Sequence, residues 1–295
     1  MLQRLAEHGL IRGERIGVDG STMKANVALR TIVRREGGEA YREMLRRMAA
    51  GSGIETPTAD DLIRLDRTRP RKKLSNTDWE SPTDPDARIA RMKDGHTHLA
   101  YKPEHAVGLD TGAVIAAEMH PADQGDNTTL PGTLASAATH LAAVEAAPTP
   151  QDPTELVADK GYYSRAGLKA MEDGSWKSRI SEPRRDGFLR WRGDDAARRA
   201  VYNNRARLLS EVARQAFKLR AELVERAFAL ILDRGGMRRA WLRAGAGAPR
   251  EFRARSSVLF GVLPAVDGGY ILLFVAVANN QFAALAVNLR PHPFT

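Results

Sequence analysis

The run Ile16-Gly17-Val18-Asp19-Gly20-Ser21-Thr22 constrains this chain more than any other stretch. Apolar and β-branched residues around a glycine read as a short buried strand, and Gly20-Ser21 ends it. Asp19 therefore stands at the strand's end, at a sheet edge, facing solvent or a metal. A second stretch, Glu155-Leu156-Val157-Ala158-Asp159-Lys160-Gly161-Tyr162-Tyr163, has the same grammar: apolar residues, a carboxylate, and a glycine that turns the chain. Two strands ending in aspartates invite both carboxylates to converge on one point. A third acid, Glu225, lies in the helical pattern Leu223-Val224-Glu225-Arg226-Ala227-Phe228, whose apolar positions could pack it beside those strands. Three such acids make a cage for divalent magnesium, a hard cation that takes oxygen ligands and keeps some of its own water.

Composition narrows the chemistry further. With 295 residues, 43% hydrophobic and 27% charged, the chain is ordinary globular material, enough for one large domain or one domain with an insertion. Cysteine is absent, which excludes disulfides and thiolate metal sites and points to a reducing, cytoplasmic compartment. The N-terminus has no apolar signal region, and the longest apolar run, Tyr270 to Ala278, is far shorter than the roughly 20 residues a membrane span needs. The net charge of +9 and a pI near 10.0 favour a polyanionic partner. That charge is concentrated: Lys177 to Arg220 holds thirteen Lys and Arg against five Asp and Glu, a net of +8. Alone, such a window reads equally as a solvated helical face; beside a metal-binding triad it reads as a surface for the phosphate backbone.

In chain order, residues 1–12 look like the end of a helix, and strand one follows at about 14–19. Residues 24–95 read as a polar, partly irregular surface insertion, with a helix around Ala40 to Met48 and a basic connector Arg67-Thr68-Arg69-Pro70-Arg71-Lys72-Lys73. The runs 98–107 and 112–120, joined by Leu109-Asp110-Thr111-Gly112, read as a hairpin. An alanine- and leucine-rich helix spans 127–147. The fourth strand is 156–159, a helix capped by Ser164 runs through Met171, a fifth strand is 178–181, and a long helical pattern covers about 194–232 with Glu225 on it. Three antiparallel strands, then helix, strand, helix, strand, helix is the order of the ribonuclease H-like fold: an α/β protein with a mixed five-stranded sheet flanked by helices.

Five strings then carry a family resemblance. They are Gly17-Val18-Asp19-Gly20-Ser21-Thr22-Met23-Lys24-Ala25-Asn26, Tyr101-Lys102-Pro103-Glu104-His105-Ala106-Val107, His120-Pro121-Ala122-Asp123-Gln124-Gly125-Asp126, Asp159-Lys160-Gly161-Tyr162 and Val224-Glu225-Arg226-Ala227-Phe228. In this order the chain resembles the DDE transposases of bacterial insertion sequences, from residue 1 to about Arg243. The resemblance implies a catalytic and metal-binding triad of Asp19, Asp159 and Glu225, with two Mg2+ ions (Mn2+ as a possible substitute) about 4 Å apart serving phosphodiester cleavage and strand transfer. It implies double-stranded DNA, both element ends and target, as partner, and a homodimer in the synaptic complex.

The basic residues read as DNA contacts are Lys102, Lys160, Arg184, Arg185, Arg190, Arg192 and Arg220. Where the family places an arginine four residues before the glutamate and a basic residue seven after, this chain has Ala221 and Leu232, with Arg220 and Arg234 as substitutes. The family's N-terminal helical DNA-binding domain has no counterpart here, and residues 244–295 do not match its helical end, so a truncated element with a frameshifted or fused tail is one expectation. The alternative function is an inactive remnant that binds DNA non-specifically through residues 177–220. His98, His105 and His120 match no zinc spacing and read as strand residues, with His120 and Asp126 as lesser candidates near the triad. Trp176, Trp191, Tyr162 and Tyr202 read as packing residues or as platforms for an extruded base.

Overall fold

A computed structural model describes residues 2–70, 74–92, 94–184, 189–242 and 252, together with the backbone of 260–264, 270–278 and 281–289. After a short helix α1 (Leu2–Glu7), strand β1 (Arg15–Gly20) enters the middle of a sheet. Ile16 and Val18 are fully buried on one face, and Gly17 and Asp19 alternate onto the other.

The segment before the hairpin contains β2 (Met23–Lys24), β3 (Val33–Arg34), α2 (Tyr41–Gly51), α3 (Ala59–Thr68), β4 (Trp79–Glu80) and β5 (Arg88–Arg91). It departs from the expected polar, partly irregular surface insertion, although the helix expected around Ala40 to Met48 is present as α2. Met23, Ile32, Tyr41, Met44, Leu45, Leu62, Trp79 and Ile89 form a second hydrophobic core with Leu99, Tyr101, Ile231, Leu232 and Phe252. Its apolar residues are isolated in the sequence and show little as runs. Helix periodicity and two-residue strands gather them onto one side.

The hairpin is β6 (Thr97–Gly108) and β7 (Val114–Pro121), followed by α4 (Asp126–Ala142), β8 (Thr154–Ala158), α5 (Arg165–Glu172) and β9 (Trp176–Ile180). Strand β1 pairs antiparallel with β6, Asp19 opposite His105, and parallel with β8, Ile16 opposite Leu156. β7 pairs antiparallel with β6, and β9 parallel with β8. The order β7-β6-β1-β8-β9, three antiparallel strands then two parallel ones, is the ribonuclease H-like arrangement. The sheet is larger than five strands, because β2 and β5 also pair with the N-terminal half of β6, making seven.

The long helical pattern is two helices, α6 (Asp195–Leu208) and α7 (Glu211–Phe228), continued by a π-helical turn at Ala229–Arg234. Ser210 makes the break by accepting a hydrogen bond from the Ala213 N–H at 3.2 Å, an N-cap that starts a new helix. Helices α4, α5 and α6 cover one sheet face through Leu130, Leu134, Leu141, Leu168, Met171 and Val201. Helix α7 covers the other, with Val224 and Ala227 on Val107 and Ala216 on Leu109 and Val157. Gly17 sets how close α7 comes: a Cβ there would stand 2.8 Å from Leu109 Cδ2 and 3.0 Å from Arg220 Cγ.

In the tail, β10 (Phe260–Pro264), β11 (Tyr270–Ala278) and β12 (Gln281–Leu289) form a separate antiparallel sheet. Of the expected frameshifted or fused tail, 244–295, residues 244–251, 253–259, 265–269, 279–280 and 290–295 lie outside the described residues.

Candidate active site

Adjacent parallel strands β1 and β8 end side by side, so Asp19 and Asp159 leave the sheet at the same edge. Each carboxylate is fixed by a local turn. Asp19 Oδ1 accepts the Gly20 N–H at 2.8 Å, and Asp159 Oδ1 accepts the Gly161 N–H at 2.8 Å, capping the 3-10 turn Lys160–Tyr162. Their free oxygens face one cation: Arg220 Nη2 of α7 lies 3.1 Å from Asp19 Oδ2 and 3.8 Å from Asp159 Oδ2. Burial pushes the Asp19 carboxyl above the ordinary aspartate range, and the Arg220 guanidinium and the Gly20 N–H pull against it; Asp159 and Asp126 add repulsion.

Two hard carboxylates aimed at a single positive group are the donor set a divalent cation takes, with the guanidinium standing where such an ion would be held. Asp19 and Asp159 could hold a divalent ion on that ground. A complete cage is not preassembled, because among the described residues no three acid or histidine side chains form a metal-holding group.

Beneath this edge is a buried polar layer. Glu104 on β6 is fully buried and accepts hydrogen bonds from Thr129 at 2.8 Å, Tyr162 at 2.8 Å and Thr133. Burial would raise its carboxyl, but hydrogen bonds from His120, Thr133, Tyr162 and Thr129 outweigh that and hold it below the usual glutamate value. Lys102, two residues earlier on the same strand face, reaches Asp126 at 2.6 Å, Thr129 at 2.8 Å and Glu104 at 3.6 Å. Asp126 in turn crowds Asp159: a methyl group on Gly161 would overlap Asp126 Oδ2 and stand 3.1 Å from Asp159 Oδ1.

The structure thus brings Asp19 and Asp159 together and leaves Glu225 apart, on the exposed side of α7. Glu225 is five residues from Arg220, about 140° around a helix of 3.6 residues per turn. Lys102 and Arg220, expected at DNA phosphates, are buried and directed inward at carboxylates. Lys160, Arg184, Arg190 and Arg192 are exposed, and Arg185 lies outside the described residues.

His98 and His105 are on β6 and His120 on β7. His120 Nε2 is 3.0 Å from Thr133 Oγ1, in the polar layer, and Tyr162 is core. Trp176 and Trp191 pack partly on the core, and Tyr202 is 54% exposed. Glu104, Thr129 and Thr133 were not anticipated. Their signal is a Lys-x-Glu pair on one face of an apolar strand together with two threonines four apart on α4.

The family model for the transposase DDE domain matches residues 60–249. The chain belongs to the DDE-domain transposase family. The matched span contains Asp159, Arg220 and Glu225, whereas Asp19 precedes it and is tied to the site by the pairing of β1 with β8. Neither curated proteins nor solved structures give a match. A transposase domain implies DNA as partner. No described helix is long and apolar enough to cross a membrane.

Proposed function

We propose that this DDE-family chain cleaves DNA strands at the ends of a mobile element and joins them to a target, in a metal-dependent reaction that uses Asp19, Asp159 and Glu225. The observation that carries the reading is the meeting of Asp19 and Asp159 at one cationic group at the edge of β1 and β8. Asp19 and Asp159 would hold divalent metal ions, which would supply Lewis-acid stabilisation of the attacking and leaving oxygens. A water or a terminal 3′-hydroxyl forms the new bond to phosphorus, and the bond to the departing 3′-oxygen breaks.

The chain's own residues orient this. The Gly20 and Gly161 N–H bonds hold one oxygen of each aspartate and so aim the other. Glu225 is included as the family's third acid; it lies on the exposed side of α7, which packs on the strands through Arg220, Val224 and Ala227. DNA lies along exposed Lys160 and along Arg184, Arg190 and Arg192 of the basic 177–220 window, with two chains assembling on paired ends. The site of action is the bacterial cytoplasm.

The test is strand transfer with pre-cleaved element ends. Asp19→Asn and Asp159→Asn should each lose joining by roughly 100-fold or more, as removal of a residue that stabilises developing charge does, with DNA binding nearly unchanged. An Asp19→Asn protein that joins as well as the parent overturns the assignment.

A further inference from the structure

We infer that Arg220 is the resident counter-ion of the Asp19–Asp159 pair, and that a divalent cation binds there only by taking the place of its guanidinium tip. This rests on the reading of the two aspartates as metal ligands and adds what holds them when no metal is bound.

The arginine is enclosed. It is 9% exposed, with its Nε and Nη2 turned onto β1 and the carboxylates. Its stem lies across Gly17, where a Cβ would come within 3.0 Å of Arg220 Cγ, so this glycine makes room for it. Its Nε donates to the Val18 carbonyl at 3.0 Å and anchors the root of the guanidinium to β1. Only the far end is differently placed. Nη2 sits between the carboxylates, 3.1 Å from Asp19 and 3.8 Å from Asp159, yet it is shut off from water and has no well-formed hydrogen bond. Charge without hydrogen-bond geometry holds that nitrogen in place, so no hydrogen bond at Nη2 has to be broken when another cation takes the position.

Two anions at one strand edge repel, and a single fixed positive charge offsets that repulsion. The same charge opposes an entering metal ion at the same point. Arg220 is therefore a positioning residue: it keeps both aspartates oriented in the metal-free chain, and its Nη2 swings aside on loading, with the Nε bond to Val18 as pivot.

The experiment uses the metal-stripped full chain with Mn2+ as probe, free ion being read by electron paramagnetic resonance. Arg220→Gln should bind Mn2+ roughly tenfold or more tightly than the parent, because a like charge a few ångströms from the ion is gone. It should also melt at lower temperature without metal and regain much of the loss with it. Arg220→Lys should fall between. A folded Arg220→Gln protein that binds Mn2+ equally or more weakly overturns the inference.

Asp19→Asn in both backgrounds separates this from the site reading. If Mn2+ binding survives that change, the aspartates are not the ligands, whatever Arg220 does. Should Arg220→Gln not fold, side-chain 15N resonances of the parent decide: a saturable Mg2+-dependent change at Arg220 Nη with the Nε–H retained supports displacement, and no change contradicts it.

Discussion

Lys102 Nζ stands 2.6 Å from Asp126 Oδ1 while the lysine side chain is 7% exposed and the aspartate 38%. A buried ammonium keeps its charge only if paired, and Glu104 at 3.6 Å supplies a second, wholly buried anion. Replacing Lys102 by Met strands Glu104 without its cation. The expected cost is about 3–5 kcal/mol, as for other broken buried pairs. Asp126→Asn, at the wetter end, should cost much less. Urea denaturation of the two variants checks this, and equal losses would argue against the buried layer.

Asp19 gives a pH dependence of known sign. Its folded carboxyl is raised by burial, so the fold holds that proton to higher pH than the unfolded chain. The associated stability is present below the ordinary value of 3.8 and is lost as pH rises through the folded value. Metal needs the ionised form. Mn2+ affinity should therefore fall as pH drops through the raised folded value of Asp19, with proton release on binding. Calorimetry in buffers of different ionisation heat measures the release, which Asp19→Asn should abolish.

His105 behaves oppositely. Its ring is stacked against Phe228 at 4.3 Å and Phe252 at 5.0 Å, and burial holds its pKa down to about 3. The unfolded chain takes up a proton near 6.5, so stability is full above that pH and drains away as pH falls from there toward 3. Ring resonances of His105 should stay those of neutral imidazole throughout the neutral range. His105→Phe should flatten the acid limb of the stability curve.

Gly161→Ala probes the crowding of Asp126 and Asp159. The added methyl overlaps Asp126 Oδ2, so one carboxylate must move. Joining activity should drop about 100-fold, the scale expected for a misplacement near 1 Å, with a stability change within about 1–3 kcal/mol for an overpacked site. Parent-like activity in this variant would mean that Asp126 alone gives way to the methyl and Asp159 keeps its position.

Much of the sheet could be read from the sequence because its strands announce their ends: Asp19-Gly20 and Asp159-Lys160-Gly161 stop β1 and β8 within a residue of where they stop in the fold. The 97–108 and 114–121 hairpin was likewise visible around its Asp-Thr-Gly turn. The break at Ser210 was hidden because Leu208, Leu209 and Val212 continue an apolar pattern across it, although Leu209 is 85% exposed. Lys102 looked like a surface lysine because alternation predicts one wet face, and β6, paired on both sides and covered on both faces, has none. Arg220 reads by its type alone as a phosphate contact. Its phase with Ala216, Val224 and Ala227 places it on the buried side of α7, and that same phase turns Glu225 outward.

The most direct test loads the site with Fe2+ and, with ascorbate and hydrogen peroxide as reductant and oxidant, cuts the chain at whatever backbone surrounds the ion. Fragments ending near residues 19–20 and 159–161 are expected from one bound ion, suppressed by excess Mg2+ and absent in Asp19→Asn. Cleavage at only one of these places, or at neither, would show that the two strand ends do not share a cation.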